Sequence, residues 1–167
     1  MTVWSLQDQL AEAIEMLLDR HPMGMRVLMG EAPPPSTEDI HLMYAAERLP
    51  DDLGVRVDGG EHVTRAEQIV FDAERFERII ERAGGWEHIA RTSREWEATN
   101  PKSWKIVEEH VKWMTYGAFS RLDDARLQTI ALRLGVSPET VQRYRREFPL
   151  DLARVILLAR PILNLMP

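Results

Sequence analysis

Apolar residues recur at steps of three and four along most of the chain, the spacing of a helix that lays one face on a core. Leu6, Leu10, Ala13 and Leu17 form the first stripe, widened by Ile14 and Leu18. Ser5 stands before it as an N-cap, and Asp8 puts negative charge into the first turn. His21-Pro22 ends it, because a residue before proline is pushed out of the α region. A short apolar piece, 25–29, stops at Gly30. Pro33-Pro34-Pro35 is a stiff extended connector, after which Ser36 or Thr37 caps a helix carrying Ile40, Met43, Tyr44 and Glu47. The stretch 50–60 is acidic and rich in turn residues, and Val55-Arg56-Val57 within it fits a short strand.

The clearest helix opens at Thr64, three residues before Glu67, the spacing of a capping box. Ala66, Ile69, Val70, Ala73, Phe76, Ile79, Ile80 and Ala83 lie on its apolar face, and Gly84-Gly85 closes it. A stretch with Trp86, Ile89, Ala90 and Trp96 follows. Asn100-Pro101 is a start signal, an Asn cap with proline at the first helical position. The next helix presents Trp104, Val107, Val111, Met114 and Ala118. These patterns predict an all-α protein: an N-terminal helical region over 1–100 and a second unit over 101–167.

Composition narrows the classes. A hydrophobic share of 44% is that of a globular chain. With no cysteine, a disulfide scaffold, a cysteine zinc site and a thiol nucleophile are excluded. No basic segment followed by an apolar run opens the sequence, and the apolar stretch 150–166 is broken by Arg154, Arg160 and Pro161. The expectation is a cytoplasmic protein with no membrane partner. The net charge of −6 alone opposes nucleic-acid binding, but its distribution does not. Residues 1–100 carry 10 arginines, no lysine and 20 acids, a balance of −10. Residues 101–167 carry 11 cations and 7 acids, a balance of +4. That split suggests an acidic body and a basic, contact-making half.

The basic half contains the most informative segment, 122–147. Ile130 and Leu134 share one helix face, and Ala131 suits a close helix crossing. Gly135, four residues after Ala131, suits a left-handed turn, and Val136 plugs the core beneath it. Ser137 caps a second helix with Pro138 at its first position. Val141 and Tyr144 turn that helix back on the first. Glu139, Gln142, Arg143 and Arg146 occupy its opposite face, with Arg145 beside them. Gln and Arg pair with adenine and guanine edges in the major groove, and Arg also pairs with phosphate. Lys102, Lys105, Lys112, Arg121, Arg126 and Arg133 add cations for the DNA backbone.

Through Ala131, Gly135, Val136, Ser137, Val141 and Tyr144 the segment resembles the helix-turn-helix of phage-type and bacterial transcription regulators. It also resembles the sigma-factor region that reads the promoter −35 element. The resemblance covers about a sixth of the chain and implies a sequence-specific, phage-like regulator binding double-stranded DNA through a helix over 138–147. A DNA-packaging role like that of a terminase small subunit is an alternative, although such proteins carry the motif near the N-terminus. A third reading is an interaction module whose acidic N-terminal region binds RNA polymerase, a sigma factor or another regulator. The apolar 150–166 segment, with Leu152, Val155, Ile156, Leu158, Ile162, Leu163 and Leu165, exceeds one helix face and suggests a homodimer.

Other chemistry is thin. His21, His41, His62, His88 and His110 show no helical ligand spacing, so no metal site is expected. Glu108, Glu109 and His110 are adjacent and point apart on a helix. There is no phosphate-binding glycine loop and no nucleophile motif, so no enzyme activity and no cofactor are expected. Trp4, Trp86, Trp96, Trp104 and Trp113 read as packing anchors.

Overall fold

The computed structural model describes residues 5–47, 64–115 and 124–160. The expected strand at 55–57, Arg121, and Ile162, Leu163 and Leu165 lie outside them, as does the side chain of Met114. Within them the backbone forms α-helices and no strand: α1 (Leu6–Arg20), α2 (Gly24–Met29), α3 (Thr37–Glu47), α4 (Arg65–Arg82), α5 (Gly85–Thr99), α6 (Pro101–Thr115), α7 (Asp124–Leu134) and α8 (Pro138–Ala159). The all-α class is as expected. Among the described residues, no helix is long and apolar enough to cross a membrane.

Local chemistry starts these helices where the sequence indicates. The Ser5 hydroxyl accepts from the Asp8 N–H at 3.1 Å, and the Thr64 hydroxyl from the Glu67 N–H at 3.1 Å. Ser36, rather than Thr37, caps α3: its hydroxyl accepts from the Asp39 N–H, and the Asp39 carboxylate accepts from the Ser36 N–H, each at 3.1 Å. These reciprocal bonds satisfy two free donors at once. α2 follows α1 so closely that a Cβ on Gly24 would lie 2.4 Å from the Leu17 carbonyl oxygen.

Two helices organise the core. α1 buries Leu10, Ala13, Ile14, Met16, Leu17 and Leu18, and α8 packs along it with Phe148, Leu152, Ala153 and Ile156. Ile40, Met43 and Tyr44 of α3, Ala73, Phe76, Ile79 and Ile80 of α4, and Trp104, Val107 and Val111 of α6 complete one large cluster. The rings of Trp96, Trp104 and Phe148 meet edge-on with centroids 5.3–6.2 Å apart, joining α5, α6 and α8. His88 ties the same region together: its Nε2–H donates to the Ile156 carbonyl at 2.9 Å, and Nδ1 accepts from Arg91 at 3.2 Å.

The large cluster draws on both sides of residue 100, while a smaller one, Ile106, Leu127, Ile130, Ala131 and Val141, lies wholly beyond it. The expected α4 stripe is too wide. Ala66 and Val70 are exposed, and α4 buries Ala73, Phe76, Ile79 and Ile80 of its later turns. The helix expected over 138–147 continues to Ala159, since Pro149 is tolerated within it. Leu152 and Ile156 are fully buried in the same chain, which removes part of the argument for a dimer, while Leu158 stays 80% exposed.

Candidate nucleic-acid interface

α7 and α8 are joined by a tight turn. α7 ends at Leu134, and Gly135 follows at φ 69°, a left-handed conformation that costs glycine little. The Val136 N–H then reaches the Ala131 carbonyl at 3.0 Å, and the Gly135 N–H the Leu132 carbonyl at 3.3 Å. This pair of bonds is the Schellman closure, which satisfies carbonyls left over at a helix end. Ser137 starts α8: its hydroxyl accepts from the Thr140 N–H at 3.2 Å and shares a 2.8 Å bond with the Thr140 hydroxyl. Pro138 occupies the first helical position, where its missing N–H costs nothing.

Packing then decides which face of α8 is free. Val141 is fully buried beside Leu127, Ile130 and Ala131 of α7 and Ile106 of α6. Trp113, Leu134, Val136 and Tyr144 close the margins of this small core. Tyr144 is half-buried and touches both clusters. With those positions inward, Ser137, Glu139, Gln142, Arg143 and Arg146 are exposed, and Pro138 is half-buried. The Arg143 guanidinium lies 5.4 Å from the centre of the Tyr144 ring, a cation–π distance that limits its wandering.

Arg145, grouped with the DNA-facing residues on sequence grounds, is placed differently. It is 7% exposed and pairs with Asp19 of α1 at 2.5 Å. The reason is angular. On a helix with 3.6 residues per turn, position 145 follows Val141 by four and precedes Phe148 by three, so it shares their inward face. Nothing in the sequence points to Asp19, 126 positions away, as its partner.

The remaining cations gather on α6 and α7. Lys102, Lys105 and Arg133 border a cavity of about 140 Å³ together with Ile106, Leu134 and Val136. Arg133 also borders a neighbouring cavity of about 250 Å³ with Lys112, Trp113 and Arg126. These five side chains thus form one basic strip reaching the turn before α8. One further cation was missed from sequence because the helix was ended at 147. Arg154 is exposed and lies eleven residues past Arg143, about three whole turns, so the two share a face.

Burial and charge set one titration apart. His110 of α6 is driven down to a pKa of about 4, first by burial and then by the positive charge of Arg145. It stays neutral near pH 7. Among the described residues no group of three or more His, Asp or Glu side chains is placed to hold a metal ion. No family model, no curated protein and no solved structure matches this chain.

Proposed function

We propose that this chain is a sequence-specific DNA-binding transcription regulator that reads the major groove with the first half of α8. The observation that carries the reading is the division of that helix: Val141 turns inward, while Gln142, Arg143 and Arg146 stand exposed beside a capped N-terminus. Gln can bridge the N6 and N7 edge of adenine, and Arg the O6 and N7 edge of guanine. Lys102, Lys105 and Arg133 supply cations for phosphates, which position a protein without informing it of sequence. The acidic balance of residues 1–100 repels a duplex and suppresses non-specific binding away from the reading helix. Two copies reading two half-sites would lengthen the recognised sequence, as is usual for this motif.

The full chain is the unit to assay. A fragment beginning at residue 100 would strip α1 from Phe148, Leu152, Ala153 and Ile156. The test is titration of the full chain on a duplex enriched from a randomised pool and on a random duplex, at two salt concentrations. Lys102→Ala weakens both duplexes alike and lowers the salt slope by about one. Arg143→Ala lowers the preference for the enriched duplex by roughly 5- to 150-fold, the worth of one bidentate base contact. A folded chain that binds neither duplex at low salt overturns the reading and leaves the helix-turn-helix as a protein-interaction module.

A further inference from the structure

The inward stripe of α8 is Val141, Arg145, Phe148, Pro149, Leu152, Ala153 and Ile156, and Arg145 is its one charged member. Val141 belongs to the small cluster beneath the helix-turn-helix, and Phe148, Leu152, Ala153 and Ile156 belong to the large one. Arg145 stands at the junction. Its Nη2 donates to Asp19 Oδ1 at 2.5 Å, with the two side chains 9% and 27% exposed. Arg145 Nε and His110 Nδ1 are both buried without a hydrogen-bond partner. Pro149 lies four residues beyond Arg145 and has no N–H to offer its carbonyl, so the backbone ladder of α8 is weakest here.

An apolar pair of similar volume would hold α1 to α8 as firmly as this ion pair does, or more so. What the ion pair adds is direction. Apolar packing has no directional preference, whereas the Arg145 Nη2–Asp19 Oδ1 hydrogen bond fixes a distance and an angle. Arg145 also shares a helical turn with Gln142, Arg143 and Arg146, so any rotation at 145 is passed directly to them. We infer that the Asp19–Arg145 pair is a positioning contact, setting the rotation of the reading half of α8 so that Gln142, Arg143 and Arg146 meet base edges in one register. The inference rests on the DNA-reading function proposed above and gives the N-terminal region a part in it: α1 aims the reading helix without touching DNA.

The experiment compares the full wild-type chain with the Asp19→Leu/Arg145→Met double variant, which leaves no lone buried charge. Each is titrated on the duplex enriched by the wild type and on a random duplex, across a salt series, with thermal unfolding measured alongside. The double variant unfolds at or above the wild-type temperature, binds the random duplex as the wild type does with the same salt slope, and loses about tenfold in preference for the enriched duplex. If the double variant does not fold, Arg145→Met alone carries the test, because the Asp19 carboxylate it leaves is partly exposed; the same loss of preference supports the inference. An unchanged preference in a folded variant overturns it. A salt slope lower by about one also overturns it, because Arg145 would then be touching phosphate itself. A wild-type chain that enriches no sequence defeats the DNA reading, and the inference with it.

Discussion

Acidification should weaken this fold through His110. The unfolded chain binds a proton at this residue below about pH 6.5, whereas burial and the nearby Arg145 hold the folded residue neutral down to about pH 4. Between those values the unfolded state carries more protons, so stability present above pH 6.5 is lost as pH falls and levels off below 4. Linkage puts the loss at about 2 kcal/mol by pH 5 and about 3 kcal/mol below pH 4. In a chain of this size, 2 kcal/mol corresponds to roughly 4–8 °C in midpoint temperature. The perturbation is His110→Leu, similar in volume and unable to titrate. Thermal unfolding of both proteins from pH 7.5 to 4.5 is the assay, read as a difference. Other shifted groups, such as His21, lowered mainly by burial, and Asp39, lowered by its bonds to Ser36, are common to both proteins and cancel. The variant should gain about 2 kcal/mol relative to wild type between pH 7 and 5. A difference that stays flat over that range refutes the placement of a neutral, buried His110.

Two further outcomes follow from packing and backbone geometry. Gly135→Val should destabilise the chain by about 1–3 kcal/mol in denaturant unfolding, from backbone strain alone, since a Cβ there meets no atom within 4 Å. An unchanged midpoint would mean that Gly135 is not in the left-handed turn. Leu152→Ala should cost about 2–5 kcal/mol, because the side chain is fully buried between α8 and the body. Far-UV circular dichroism and tryptophan fluorescence should report one coincident transition in that variant, and separate transitions would contradict a core shared across residue 100.

The helix starts were legible because each is written locally. Ser5, Thr64 and Ser137 lie next to the N–H groups they cap, and Gly135 carries its own conformational signature. Inward positions were legible where a stripe met a partner along its whole length, as in α1. They were overestimated at Ala66 and Val70: Val70 lies about 120° round the helix from Phe76, at the edge of the stripe, and α4 buries its apolar face only from Ala73 onward. The far end of α8 was not legible, since proline reads as a stop and only tertiary packing around Pro149 carries the helix through it. Within the candidate interface, the exposure of Gln142, Arg143 and Arg146 was legible because they lie off the Val141 face of the helix. Arg145 was misplaced for a related reason. A charged side chain suggests solvent, but the four-residue step from Val141 turns this one inward, and a carboxylate on another helix, 126 positions away, pairs with it there.

The most direct measurement of the central claim is selection of bound duplexes from a randomised pool by the chain, set beside the Arg143→Ala/Arg146→Ala variant. The wild type should enrich a defined motif at moderate salt. The variant, folded as judged by its unfolding curve, should retain weak salt-dependent binding through the α6–α7 strip and enrich none. Enrichment of the same motif by both proteins would show that α8 does not read the bases, and a pool left unenriched by the folded wild type would contradict sequence-specific DNA binding altogether.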